Sequence, residues 1–297
     1  MRRILTCIGI VIAGLIGLVI VAGVVLYAVG ASRLGQHYTV GETFTVPTSA
    51  EAVVRGQYLV TSTVGCFGCH GPGGANGVVF FSGPPLGTLA APNLTAGKGG
   101  IGGLMTDADW NRAIRHGIGH DGRLLVIMPS ADFSHLSDAD LGAIVAYLKT
   151  LPPIDYQAPP RNLFFVADIG LAAGLFGKLP AEAIDHTAAH AASVPAAETA
   201  EYGQYLATLA TCSGCHGPNL DGKGGGGGPS SVVPPNLTPS GEVGTWTKAQ
   251  FINTIRTGVT PSGHQLTDDM PWKTFKNMTD QDLGALYLYV HSLPPSK

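Results

Sequence analysis

The sequence predicts an all-α, loop-rich fold: one N-terminal membrane-spanning helix followed by two tandem domains built on a single plan. Three observations lead there. A long uncharged apolar run opens the chain, one set of motifs occurs twice in the remainder, and Gly- and Pro-rich stretches alternate with short helical patterns in which no convincing strand pattern is visible. A length of 297 residues leaves room for two domains, at about 100–200 residues each. The 42 Gly and 21 Pro, with only 12% charged residues, contrast with an ordinary charged share of roughly 25%. With 45% hydrophobic residues, that composition describes loops wrapped around something apolar rather than a disordered chain. A formal charge of -3 offers no basic footprint, which argues against nucleic acid as a partner.

The opening run, Ile4 to Val29, holds 26 residues without a charge. A helix needs roughly 20 to cross a bilayer. Arg2 and Arg3 precede it, and positive charge marks the cytoplasmic side, so everything beyond Arg33 is expected outside the cytoplasm on a single-pass anchor. A cleaved signal peptide is the competing reading, with Ala28 and Gly30 near a cleavage point, but its apolar region ordinarily runs about 7 to 15 residues. Residues 30–50 read as a linker to the first domain.

Four of the five cysteines fall in two copies of one pattern, Cys66-Phe67-Gly68-Cys69-His70 and Cys212-Ser213-Gly214-Cys215-His216. C-x-x-C-H reads as attachment of c-type haem: two thiols form thioethers to the porphyrin and the adjacent His stands against the iron. Disulfides, a thioredoxin-like pair or a zinc site are the alternatives, and none requires a His to follow both times. Cys7 lies in the apolar run, where a small apolar side chain is its expected role.

The repetition extends well beyond the cysteines. Gly56-Gln57-Tyr58-Leu59 matches Gly203-Gln204-Tyr205-Leu206, and Pro92-Asn93-Leu94-Thr95 matches Pro235-Asn236-Leu237-Thr238. Met128-Pro129 matches Met270-Pro271, and Asp140-Leu141-Gly142-Ala143 matches Asp282-Leu283-Gly284-Ala285. Two complete haem domains are expected, at 51–153 and 196–297. Thr106 and Thr247 each stand where they can cap a short helix, ending near His116 and Arg256. Ser137 and Thr279 open longer ones, with Asp in the first turn and a Leu-Pro-Pro stop. Stretches 71–87 and 222–235, rich in Gly and Pro, read as loops. Between the domains, 154–195 reads as a linker; its apolar stretch Leu163 to Leu179, broken by Asp168 and Lys178, predicts a helix packed on the domains, with a place on the membrane surface as the alternative.

On these motifs each half resembles a class I cytochrome c domain, with a helix, C-x-x-C-H, a Pro-x-Leu loop, a Met-bearing loop and a C-terminal helix. The resemblance implies two covalently attached haem c groups, with axial pairs His70 with Met128 and His216 with Met270. It also implies that the carbonyls of Pro92 and Pro235 orient the axial histidines, and that Trp246 lies near a haem propionate. The counterpart of Trp246 is Met105, which departs from the pattern. Rivals for the sixth position are Met105, His116, His120 and His135 in the first half and His264 and Met278 in the second. Only the Met-Pro pair recurs in both halves.

The function implied is single-electron transfer on the periplasmic or outer face of the cytoplasmic membrane, not the turnover of a substrate. Redox partners would be a membrane dehydrogenase, a quinol-oxidising complex or a terminal oxidase, with lipid around the anchor. The pattern is similar to the cytochrome subunits of membrane-bound alcohol and gluconate dehydrogenases, which usually carry three haems. The dihaem subunit of cbb3-type oxidases is similar in layout. The competing class is a dihaem enzyme of the thiosulfate dehydrogenase or cytochrome c peroxidase type, which needs an unusual or vacatable axial position.

Overall fold

The computed structural model describes residues 2–40, 44–223 and 233–296; most of the Gly-rich stretch 222–235 lies outside the described residues. Helix α1 (Arg2–Leu34) is long and apolar enough to cross a membrane. The first repeat follows as α2 (Ala50–Tyr58), α3 (Cys66–His70), α4 (Asp107–His116), α5 (Ser130–Phe133) and α6 (Asp138–Leu148). After α7 (Phe165–Ala172), the second repeat runs α8 (Ala200–Leu209), α9 (Cys212–His216), α10 (Lys248–Thr257), α11 (Trp272–Phe275) and α12 (Asp280–Ser292).

The helices begin where local chemistry can satisfy their first N–H groups. Thr106 and Thr247 close capping boxes with Asp109 and Gln250. Ser137 and Thr279 accept from Asp140 N–H and Asp282 N–H. Gly117 and Gly258 end α4 and α10 in the left-handed region.

Within each repeat the first helix lies across the last, α2 on α6 and α8 on α12. The crossings are made backbone to backbone. A Cβ on Gly56 would stand 1.9 Å from the Ala143 carbonyl oxygen, and one on Gly203 would stand 2.0 Å from that of Ala285. Around the first crossing Leu59, Ile144 and Leu148 bury; around the second, Leu206, Leu283 and Leu286 do. The repeats differ by one residue just ahead of the cysteines: Cys66 follows Leu59 by seven positions, Cys212 follows Leu206 by six. A single π-helical turn, Leu59–Thr63, takes up the extra residue after α2.

A small antiparallel sheet, β1 (Val79–Phe81), β2 (Gly87–Ala90) and β3 (Asn162–Leu163), departs from the loop-only reading of this region. Strands of two to four residues are too short to express an alternating pattern, and β3 comes from the inter-repeat segment. Gly87, at φ 99°, passes so close to this segment that a Cβ would meet Asn162 O at 2.1 Å.

The apolar stretch 163–179 does form a helix, but α7 packs chiefly along α1, with Leu171 reaching a small core shared with Ile118 and Leu124. An apolar run specifies burial, not the neighbour that buries it. Arg33 ties the two helices together by a paired contact with Glu182, at 2.8 and 2.6 Å, and by donating to the carbonyls of Leu171 and Gly177.

The two repeats meet across a pseudo-twofold contact made by equivalent residues. Tyr58 donates to Asp282 Oδ2 at 2.5 Å and accepts from Thr279 N–H at 2.9 Å. Tyr205 donates to Asp140 Oδ2 at 2.8 Å and accepts from Ser137 N–H at 3.2 Å. Each tyrosine thus serves the N-terminus of the other repeat's last helix. Asp140 also holds Arg55, whose guanidinium reaches Tyr202 Oη at 3.4 Å. Short helix α5 lies against α8, and α11 against the π turn, so each Met-bearing loop touches the helix that leads to the other repeat's cysteines. Leu209 of the second repeat belongs to the first repeat's core.

Burial, then the hydrogen bond to Asp282, pushes the Tyr58 phenol up to about 12; burial and the charge of Asp140 raise Tyr205. A phenol raised in the folded state contributes stability that is present below its ordinary value of about 10 and is lost as pH rises through the folded value. Tyr58→Phe and Tyr205→Phe are each expected to cost about 1 kcal/mol in urea unfolding of the haem-loaded protein, and to flatten its alkaline loss of stability above pH of about 10. Unchanged unfolding in the double variant would show that the repeats are held by other contacts.

Candidate cofactor sites

Both C-x-x-C-H segments are single helical turns, α3 and α9. The two cysteines at i and i+3 therefore share a face, and the following His continues the same turn. Each turn is entered through a left-handed residue, Gly65 at φ 66° in the first and Thr211 at φ 55° in the second. A β-branched residue in that region is uncommon and marks a strained entry to the second motif.

The histidines are held alike. His70 Nδ1 stands 2.9 Å from the Pro92 carbonyl oxygen and His216 Nδ1 stands 2.9 Å from that of Pro235. A carbonyl only accepts, so Nδ1 carries the hydrogen and Nε2 presents its lone pair. Burial holds both rings below the ordinary histidine value, only partly opposed by the proline carbonyls, and so keeps them neutral at neutral pH.

Those proline loops are held by asparagines that the sequence reading passed over. Asn93 accepts from Thr95 N–H at 2.9 Å and donates to the carbonyls of Ile154 and Tyr156. Asn236 accepts from Thr238 N–H at 2.8 Å and donates to Ser296 O at 3.0 Å. The recurrence of Pro-Asn-Leu-Thr was the signal that could have found them. Each asparagine ties the turn presenting the carbonyl to the chain just beyond the last helix.

In the first repeat these groups open onto a cavity of about 460 Å³ whose wall includes Cys66, Cys69, His70, Pro92 and Met128. The size suits a large organic ligand. The rest of the wall is mostly apolar, with Leu94 and Ile144 among it, and Trp110 also lines it with its buried Nε1–H lacking an acceptor among the described residues. His120, Arg123 and Arg161 also line it. The inter-repeat segment, through Gln157 and Arg161, is part of this wall, which the sequence reading had set apart as linker. Arg161 donates to Leu124 O at 2.6 Å; burial, then the charge of Arg123, holds its guanidinium below the ordinary value.

In the second repeat Cys212, Leu237, Trp246 and Met270 are half-buried against the core. Trp246 Nε1–H is buried without an acceptor among the described residues. Among the rivals for an iron ligand, Met105 and His120 line the first cavity, His116 points instead to His186 at 3.0 Å, and Met278 is core.

The thiols bear on the alternatives. Loss of water pushes those of Cys66 and Cys212 up to about 12. A dithiol redox centre works through a lowered thiolate pKa, so neither pair is built as one. The residues fit haem c on independent grounds: paired thiols on one turn, a neutral imidazole with a bare Nε2, an apolar cavity with a Met on its wall, and buried indole N–H groups that an acid group can satisfy.

Comparison with known proteins agrees. Residues 51–148 match the family model described as cytochrome C oxidase, cbb3-type, subunit III, and residues 200–294 match that described as cytochrome c. The chain is a c-type cytochrome: it carries two cytochrome c domains, with two covalently bound haem c groups. It is similar to the fructose dehydrogenase cytochrome subunit of Gluconobacter japonicus, 28% identical over 275 residues, which cover 84% of this chain and 55% of that protein. The alcohol dehydrogenase (quinone) cytochrome c subunit of Gluconacetobacter polyoxogenes is also 28% identical over 275 residues, covering 84% and 58%. A diheme cytochrome c-type of Cereibacter sphaeroides is 34% identical over 110 residues, covering 34% and 37%. The chain thus spans a little over half the length of the dehydrogenase subunits it matches.

Asn93 is fully buried and Asn236 only half so. Asn93→Ala strands the buried Thr95 N–H and the Tyr156 carbonyl and is expected to lower the stability of the haem-loaded protein by about 2 kcal/mol in chemical denaturation, with Asn236→Ala costing less. Equal or negligible losses would remove the asparagines from the support of the proline loops.

Proposed function

We propose that this dihaem cytochrome relays single electrons on the extracytoplasmic side of a membrane, as the cytochrome component of a membrane dehydrogenase or another respiratory complex, and does not itself turn over a substrate. In this reading 51–153 and 196–297 are the two haem domains. His70 with Met128 and His216 with Met270 are the axial pairs, Pro92 and Pro235 fix the histidine rings, and Trp246 donates to a propionate. The bound haem supplies a reversible one-electron couple. The chain's own residues set its terms: a soft, neutral thioether favours the ferrous state and raises the potential.

The observation that carries the proposal is the reciprocal contact of two like-built sites, each with a Met-Pro loop packed on the helix feeding the other's cysteines. Filled axial positions leave no coordination site for a substrate, which favours electron transfer over a dihaem oxidoreductase of the thiosulfate dehydrogenase or peroxidase type. Arg2 and Arg3 before the anchor favour the extracytoplasmic placement. The similarity to cytochrome subunits of fructose and alcohol dehydrogenases supports a dehydrogenase as donor.

Met270→Ala is expected to lower one midpoint potential in a spectroscopic redox titration and to leave the other nearly unchanged, with Met128→Ala affecting the other haem. Two shifted potentials from one substitution, or none, would contradict the ligand assignment. For the function, mild detergent extraction from native membranes should bring down a dehydrogenase or oxidase subunit in fixed ratio. A chain that emerges alone and oxidises thiosulfate or reduces peroxide would replace the relay with the enzyme.

A further inference from the structure

The span Ile4 to Val29 contains 26 residues and, as a helix, measures about 39 Å. The hydrocarbon core of a bilayer is about 30 Å thick. Roughly the last six residues, at about 1.5 Å each, therefore lie at the level of the headgroups if the N-terminal end starts at the opposite boundary. Here α7 joins α1. Gly30 is where the two helices touch: a Cβ there would stand 1.9 Å from Asp168 O, so no side chain separates them. Arg33, one turn on, fastens the following segment through Glu182 and two carbonyls. The position of α7 relative to the anchor is thus set by backbone contact and a bidentate ion pair.

With that position set, the apolar side chains that α7 and its flanks leave uncovered acquire a direction. Phe165 is 63% exposed, Leu175 79%, Phe176 38% and Phe164 37%. Four large apolar residues in one short segment are unusual on a surface facing only water. Lys178, exposed and just beyond them, can reach an anionic headgroup while its stem lies along the apolar surface. Ala167 and Leu171 are buried on the inner side, while Gly170 lies beneath Phe176 and Leu175.

We propose that residues 164–178 form a membrane-interface foot: Phe165, Leu175 and Phe176 enter the headgroup and upper acyl region of the outer leaflet beside the exit of α1. The occupant of this patch is lipid, because the patch continues a surface that lipid already covers, the exposed apolar flank of α1 at Val24, Val25 and Val29. Anchor and foot together hold the first haem domain at one tilt and one height above the bilayer, through Leu171 and its neighbours Ile118 and Leu124. An electron exchanged with a lipid-dissolved or membrane-bound partner is then exchanged at a fixed depth.

The inference rests on α1 spanning the bilayer, and the test separates the two. Full-length, haem-loaded protein carrying Cys7→Ser has no free thiol once the motif cysteines hold haem. Single nitroxides are placed by Leu175→Cys, by Val19→Cys in the middle of the span, and by Val54→Cys on the exposed face of α2. In phospholipid nanodiscs with both haems reduced, each label is tested for relaxation by oxygen, which concentrates in lipid, and by a water-soluble nickel chelate. The 175 and 19 labels are expected to favour oxygen over nickel several-fold more than the 54 label does. A 175 label that behaves like the 54 label while the 19 label remains lipid-like overturns the foot and leaves the span intact. A 19 label open to nickel overturns the span itself. A 175 label shielded from both reagents means that protein, not lipid, covers the patch, and also overturns the proposal.

Discussion

Two helices in each domain approach until one backbone rests on the other, and the remaining structure is arranged around that crossing. At Gly56 and Gly203 the missing side chain lets α2 and α8 settle onto the carbonyls of Ala143 and Ala285. Any Cβ would force the pair apart, at a cost of about 1–3 kcal/mol or more. Behind the crossing lie the leucines of the core; ahead of it the chain must turn at once into C-x-x-C-H. The crossing therefore fixes where the cysteines begin, and the π turn at Leu59–Thr63 shows how tightly. One extra residue is absorbed as a local underwinding, with Val64 N–H bonded to Leu59 O, while the tyrosine before it makes the contact its counterpart makes.

The same helices carry the contact between domains. Tyr58 and Tyr205 stand two residues beyond the crossing glycines, and Asp140 and Asp282 stand in the first turns of the helices being crossed. Each tyrosine needs a buried partner for its hydroxyl, and each finds it in the neighbouring domain. Duplication of a single domain with this geometry thus carries a self-complementary surface with it, the property that makes twofold association common among identical subunits. Covalent linkage through residues 154–195 then makes that association intramolecular.

Much of this could be read from the amino acids. The repeated C-x-x-C-H, the Thr and Ser caps and the uncharged opening run each act within a few residues of themselves, so their meaning survives without a structure. What escaped depends on residues far apart in sequence. The sheet joins β2 to Asn162 and Leu163 from beyond the last helix of the domain, and its strands are too short to show a period. The roles of Asn93 and Asn236 lie in bonds to chain some sixty residues away, at Ile154 and Ser296. Helix α7 was visible as an apolar run, yet its choice of α1 over the domains turned on one glycine and one arginine. The tyrosine contacts were legible only as recurrence, because nothing in a Gly-Gln-Tyr-Leu string says which surface it will face.

The two haem sites begin as copies and end as different environments. The segment after the first domain folds back so that Gln157 and Arg161 help wall its cavity, and the Ile154 carbonyl holds the first proline loop as the Ser296 carbonyl holds the second. Arg161 and Arg123 both line the first pocket, with Asp121 paired to Arg123 and the charges of Asp121 and Asp168 opposing part of that of Arg161. Positive charge near a centre favours the form that holds the additional electron. The indoles differ as well: Trp110 lines the first cavity from α4, whereas Trp246 approaches from the loop before α10, where the first domain has Met105. The linker brings Gln157 and Arg161 to the first site, while the helix crossing and the tyrosine contacts between the domains are alike in both.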